Sequence, residues 1–189
     1  VTRIGIILGS TRPARNGPQV AQWVLETASQ RPDIEFELLD LREHPLPHLD
    51  EAVPPMFGPS VHEHTRAWAE KIGGCDGFII VTPEYNSSIP GVLKNALDHV
   101  FAEWGDKAVG FVSYGVHGGV CAVQQLRSIC SLLGMAVVGR QVALSLHTDF
   151  ENNTVFTPGE RHATTLAATV DQVVAWSTAL APLRAVPVA

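Results

Sequence analysis

The sequence predicts an α/β fold: a parallel sheet with helices on both faces. Three observations carry this expectation. Short apolar runs alternate with segments of helical periodicity five times along the chain. Strands repeatedly joined through helices run parallel, and right-handed crossovers place the helices on both sides. The 189 residues suit one domain spanning 1–189, large enough to bury a core without disulfide staples.

The elements follow in order. Arg3 to Leu8 is an apolar run closed by Gly9, read as a buried strand. Residues 18–30 carry Val20, Ala21, Val24, Leu25 and Ala28 at helical spacing. Phe36 to Leu41 reads as a second strand. Residues 42–61 hold Pro45, Pro47, Pro54, Pro55, Gly58 and Pro59, and are expected to form a long irregular loop acting as a lid or interface element. A helix is predicted over 62–72 with Trp68 and Ile72 inward. Gly77 to Val81 is the clearest strand, and 91–103 a helix with Leu93, Ala96, Leu97, Val100 and Phe101 on one face. Residues 107–114 and 118–133 read as the fourth strand and helix. A fifth strand, 135–142, is interrupted at Gly139, and a last helix spans 160–181. In such a sheet ligands bind beyond the carboxyl ends of the strands, near the reversal of strand order. The loops after strands one, three and four are therefore the candidate functional loops.

Composition narrows the partners. Apolar residues make up 46% and charged residues 17%, a globular balance. A net charge of −6 argues against nucleic acid, whose phosphates need a basic surface, and against an anionic membrane. No apolar run has the length of a transmembrane helix or of a signal-peptide core. Three cysteines without a CxxC pair suggest reduced thiols and a cytoplasmic protein.

The first loop, Gly9-Ser10-Thr11-Arg12-Pro13-Ala14-Arg15-Asn16-Gly17-Pro18, joins a strand to a helix. Gly9 permits a sharp turn, Ser10 and Thr11 offer hydroxyls, and Arg12 and Arg15 offer planar cationic forks. Pro18 suits a first helical turn, whose N–H groups around Gly17, Gln19 and Val20 face an anion. Neither GxxxxGK[ST] nor GxGxxG is present, so a single phosphate monoester fits better than a triphosphate or dinucleotide. A loop with merely solvated arginines is the competing reading. In the third loop two prolines stiffen Thr82 to Gly91, and Asn86, Ser87 and Ser88 are turn formers beside the aromatic Tyr85. Such a loop can read the edge of a flat heterocycle, or be only a well-made turn. After strand four, Gly115, Gly118 and Gly119 allow close backbone approach to a ligand.

GSTRPARNG at 9–17 and TPEYNSSIPGVLKNALDHV at 82–100 resemble the NADPH-dependent FMN reductase family. The resemblance runs from residue 3 to residue 145. It implies a flavodoxin-like three-layer α/β/α fold with a five-stranded parallel sheet in the order 2-1-3-4-5. It implies bound FMN as cofactor, NAD(P)H as reducing substrate, and hydride passing through flavin N5 to a quinone, flavin, azo compound or metal oxyanion. The phosphate would fall to Ser10, Arg12, Asn16, Gly17 and Gln19, with Arg15 as a further candidate. The ring system would fall to Pro83, Glu84, Tyr85, Asn86 and Ser87, and its pyrimidine side to Tyr114, Gly115, Gly118 and Gly119. Many relatives carry glycine where this chain has Ser87. A homodimer or a dimer of dimers is also implied, with residues 42–61 bordering the neighbour's site.

No residue is expected to be catalytic in its own right, since the cofactor carries the chemistry. His117 reads as a loop histidine without a chemical role. His44, His48, His62 and His64 lack the cysteines of a common zinc set and read as solvated, so no metal is expected. Cys121 and Cys130 are expected to pack in the core, as is Trp104. A non-catalytic electron carrier and a redox-sensing flavoprotein are the alternatives to an enzyme.

Overall fold

The computed structural model describes residues 1–185. Five strands form one parallel sheet in the order β2-β1-β3-β4-β5. They are β1 (Thr2–Leu8), β2 (Ile34–Asp40), β3 (Gly77–Pro83), β4 (Ala108–Gly115) and β5 (Ala136–Ser145). The helices are α1 (Gly17–Ala28), α2 (Glu63–Gly73), α3 (Gly91–Asp98), α4 (Val120–Leu132) and α5 (Glu160–Arg184). The expected three-layer flavodoxin-like order is thus present.

Alternation along the strands builds two cores. Ile4, Ile6 and Leu8 of β1, with Ile79 and Val81 of β3, face α1 and α5. Ile7, Phe78 and Ile80 point the other way, against Trp68 and Ile72 of α2, Leu93 and Leu97 of α3, and Leu126 and Cys130 of α4. Central strands buried on both faces read as unbroken apolar runs, which is why they were legible.

Helix α5 lies unusually close to the sheet. A Cβ on Gly110 would sit 2.9 Å from methyl carbons of both Thr169 and Val173. One on Gly77 would meet Ser177 Oγ at 2.2 Å. These glycines set the spacing of the layer.

Several expectations need correction. The third helix ends at Asp98, not 103, and a 3-10 turn follows at Ala102–Trp104. The cause is capping: Trp68 Nε1 donates to Ala96 O at 2.8 Å and Trp104 Nε1 to Leu97 O at 3.1 Å. These indoles satisfy carbonyls that the helix end leaves without partners. The fifth strand continues past 142 through Ser145, where Ala143 to Ser145 pair with Ser113 to Gly115 of β4, and the interruption around Gly139 is a bulge. Arg127 donates to Val138 O and Gly139 O there, at 2.8 and 2.9 Å. A small antiparallel hairpin, β6 (Phe150–Glu151) with β7 (Val155–Phe156), was not anticipated. Its turn places Asn152 and Asn153 at positive φ, which asparagine tolerates. Cys130 is buried as expected, but Cys121 is exposed on the first turn of α4. His44, His62 and His64 are partly buried rather than solvated; His44 packs on Trp68 with ring centroids 5.4 Å apart. All three cysteines are free, and among the described residues no helix is long and apolar enough to cross a membrane.

Substituting Gly110→Ala should push α5 off the sheet. Overpacking of this kind costs about 1–3 kcal/mol, and urea unfolding monitored by circular dichroism would measure it.

Candidate functional site

The carboxyl ends of β1, β3 and β4 converge as the parallel order requires. A cleft there is lined by Arg12, Arg15 and Asn16 of the first loop, Pro83, Glu84 and Tyr85 of the third, Tyr114 and Gly115 of β4, and Leu146. Eight of the fifteen expected ligand residues therefore face one space. Leu146 was missed, although it directly follows β5 and obeys the same strand-end rule.

The first loop is bound firmly on both sides. Gly9 N donates to Val81 O at 2.9 Å, and a Cβ on Gly9 would fall 2.8 Å from a Leu93 methyl. Gly17 opens α1 beneath Tyr114: a Cβ there would lie 2.6 Å from Leu8 Cδ1 and 2.9 Å from the Tyr114 hydroxyl. Only glycine leaves room for that phenol. Ser10 is buried and shares a 2.9 Å hydrogen bond with the Tyr85 hydroxyl, joining the first loop to the third.

The two arginines take different parts. Arg12 is exposed at the cleft and its guanidinium touches only Ala14 O, at 3.4 Å. Arg15 stands in the cleft wall with its side chain buried. Its guanidinium grips both oxygens of Asp40 at the end of β2 and also donates to Ser10 O. Burial alone would raise the Asp40 carboxyl. Hydrogen bonds from Arg15 and from Arg42 N, with both positive charges, outweigh that and hold it below the ordinary 3.8. Arg15 thus braces the loop, leaving Arg12 as its exposed cation.

Asn16 and Gln19 face the hairpin. Asn16 Nδ2 donates to Asn153 O and Gln19 Nε2 to Thr154 O, both at 2.8 Å, while Phe156 N donates to Gln19 Oε1 at 3.0 Å. The hairpin is itself pinned to α5 by His162 Nε2 and Asp149 Oδ1, 2.9 Å apart. Nothing in the local sequence of the first loop announces a partner more than 130 residues away.

The third loop is a tight turn. Tyr85 and Ser88 exchange both backbone hydrogen bonds, at 2.8 and 3.0 Å. Asn86 and Ser87 between them have φ of 50° and 62°, the left-handed pair that such a two-residue turn needs. Glycine suits such a position best: serine there bears a backbone cost of about 1 kcal/mol. Gln125 compensates, donating to Ser87 O at 2.9 Å and accepting from Ser88 Oγ at 2.6 Å. Glu84 has a structural task, since its Oε2 accepts from Cys121 N at 2.8 Å and Ala122 N at 3.2 Å. A carboxylate at a helix N-terminus satisfies orphan donors and complements the dipole. Glu84 N is also used, donating to Tyr114 O at 3.0 Å. The same side chain that lines the cleft thus also holds α4.

In the fourth loop Gly118 and Gly119 have φ of 76° and 71°, and a Cβ on Gly119 would lie 2.7 Å from Ser113 Cβ. They are turn residues that do not line the cleft; Gly115 does. His117 is exposed beside them. Tyr114 is buried, which raises its phenol further above the ordinary 10.0.

Three buried side-chain polar atoms lack a hydrogen-bond partner among the described residues: Arg15 Nε, Tyr114 Oη and Ser177 Oγ. The first two belong to residues lining this cleft. Buried polar groups are rarely left unpaired, so two orphans at one cleft mark a place built for a polar ligand.

The profile of the NADPH-dependent FMN reductase family matches residues 2–149. An NAD(P)H-dependent FMN reductase of Schizosaccharomyces pombe is 43% identical over 149 residues, 78% of this chain and 74% of that protein. A 2-hydroxy-1,4-benzoquinone reductase of Burkholderia is 32% identical over 145 residues, 73% and 75% of the two chains. Among solved structures, the NAD(P)H:(acceptor) oxidoreductase FerB of Paracoccus denitrificans covers 95% of this chain and 98% of its own at a TM-score of 0.73 and 24% identity, a likeness of fold. The chain belongs to the NADPH-dependent FMN reductase family. That is a family of flavodoxin-like oxidoreductases with FMN as cofactor and NAD(P)H as reductant, and the cationic, orphan-bearing cleft fits a flavin phosphate.

The Asp40 carboxyl is depressed when folded, so its stabilisation is complete above the ordinary 3.8 and is lost as pH falls through the lower folded value. Asp40→Asn should remove that acid limb and cost about 1.5–3 kcal/mol at pH 7, the range for a hydrogen bond to a charged group. Denaturant midpoints of both proteins from pH 7 to pH 2 would show it.

Proposed function

We propose that this chain is an FMN-dependent NAD(P)H oxidoreductase that reduces a small planar acceptor such as a quinone or an azo compound. The observation that carries this reading is the cleft itself, with its exposed cation and two orphaned polar atoms at the carboxyl ends of β1, β3 and β4. The named quinone and azo reductases among the relatives support the acceptor class. FMN, when bound, supplies hydride acceptance and donation at N5.

The chain's own residues then have these tasks. Arg12 is the free cation for the phosphate, with the Ser10 hydroxyl available once Tyr85 swings off it. Asn16, Gly17 and Gln19 shape the wall around the phosphate, and Arg15 braces that wall through Asp40. The turn from Pro83 to Ser87 presents rigid backbone edges, with Glu84 fixing it to α4. Tyr114 offers its buried hydroxyl from below, and Gly115 permits close approach at the far edge. Gly118 and Gly119 hold the turn that places Gly115. Reductant and acceptor use the open side of the cleft in turn. The three free thiols favour a reducing compartment such as the cytoplasm.

A second copy of the chain is the partner we assign to the segment before α2. Leu49, Val53, Met56, Phe57 and Val61 are all exposed there, Phe57 by 75%, a concentration of apolar side chains that water does not favour.

Purified protein should bind FMN and oxidise NAD(P)H with a quinone, and Arg12→Gln should weaken FMN retention about tenfold or more, the scale of a charge-assisted hydrogen bond. Absence of FMN uptake, or uptake without NAD(P)H oxidation, would count against the enzyme. Phe57→Asp should shift a dimer towards monomer in light scattering at micromolar concentration; a wild-type monomer would end the assignment.

A further inference from the structure

A second cluster of polar side chains lies where the segment after β2 meets α2 and the end of α3. His64 Nε2 and Asp50 Oδ1 are 3.0 Å apart. His62, two residues earlier, stacks on the His64 ring with centroids 5.2 Å apart and planes within 7°. Its Nε2 lies 3.9 Å from Asp50 Oδ2, so the two imidazoles flank one carboxylate. His99, the C-cap of α3, closes the third side and is fully buried. One donor atom each from Asp50, His64 and His99 falls within 4.8 Å of the others.

We propose that Asp50, His64 and His99 bind one divalent transition cation of the zinc class. Two imidazoles and a carboxylate form a three-residue set of the kind zinc accepts, with a fourth position left for water. Ligands around a tetrahedral zinc at about 2.0–2.1 Å lie roughly 3.4 Å apart, so the cluster closes by a modest rotation of the exposed Asp50 and His64 side chains.

The state of His99 is the strongest point. Its Nε2 lies 3.0 Å from Pro47 O, a carbonyl that can only accept, so Nε2 carries the proton. Its Nδ1 therefore bears the lone pair, which at present accepts from the Thr65 hydroxyl at 3.2 Å. Metal-ligating histidines characteristically donate their other N–H to a carbonyl or carboxylate, which fixes ring and tautomer. His99 already has that arrangement. Ligation requires Nδ1 to release the Thr65 hydroxyl.

The consequence is a cross-link. The ligands come from three segments: Asp50 from the irregular stretch, His64 from the first turn of α2, and His99 from the end of α3. That stretch is already tied to the end of α3 by Asn95, which donates to Pro47 O at 2.7 Å and accepts from Leu49 N at 3.1 Å, and by His99 on Pro47 O. A cation would fasten Asp50, three residues further on, to both α2 and α3.

The test uses the full chain, stripped with a chelator and titrated with zinc by calorimetry and with cobalt(II) by visible absorption. One equivalent should bind per chain, with cobalt giving the intense visible bands of a four-coordinate site. Asp50→Asn and His64→Ala, both at exposed or half-exposed positions, should each weaken binding at least about tenfold. His147→Ala, an exposed histidine elsewhere, should leave it unchanged. Zinc should raise the thermal midpoint of the wild type and not of His64→Ala. Failure of the wild type to bind zinc, or binding that survives both Asp50→Asn and His64→Ala, overturns the proposal.

Discussion

Parallel pairing of five strands delivers every strand-to-helix turn to the same edge of the sheet, and the reversal of order between β1 and β3 parts those turns into a cleft. The remaining features depend on this geometry. Glycines 77 and 110 let α5 lie close against the sheet's centre, so the strands beneath the cleft are buried on both faces. On that base the loops can be short and heavily cross-bonded. A ligand wall made from short, braced turns loses little entropy when the ligand arrives, which is the general advantage of preorganised sites.

Charge is divided between scaffold and site. Glu84 on the cleft wall and Asp40 behind Arg15 are both engaged by the protein itself, the first by helix N–H groups and the second by a guanidinium. Neither presents an uncompensated negative charge to an incoming phosphate. A chain with a formal charge of −6 therefore keeps a cleft whose exposed charged group is Arg12. Net charge told against nucleic acid as a partner, but the local sign was set by pairing, which net charge does not register.

The sheet was readable in the sequence because doubly buried strands are apolar without interruption, and the helices because Val20, Val24 and Leu93, Leu97 recur at helical spacing. The site was readable as three loops and less so as side chains. Arg15 and Glu84 looked like ligand residues by type and position, yet each found a partner on another element: Asp40 at the end of β2 and the first turn of α4. The hairpin partners of Asn16 and Gln19, and the part Gln125 takes in holding the Tyr85–Ser88 turn, also arise from folding alone. The third helix was read too long because Val100 and Phe101 continue its apolar face, while two tryptophan indoles closed it earlier. His99 was overlooked because it lies in a helical motif and far in sequence from the other histidines. Ser87 is the opposite case: its departure from glycine was visible at once, and the positive φ supplies the reason.

The bulge in β5 has a consequence beyond local shape. β5 is an edge of the sheet, and an exposed strand edge offers its backbone as a template for another chain. Around Gly139 and the exposed Arg140 the ladder is out of step, and Arg127 already occupies the carbonyls of Val138 and Gly139. An incoming strand would find neither a regular register nor those acceptors, and would meet positive charge. The interruption at Gly139 thus makes this edge a poor template for another chain, on the side of the sheet where no further strand follows.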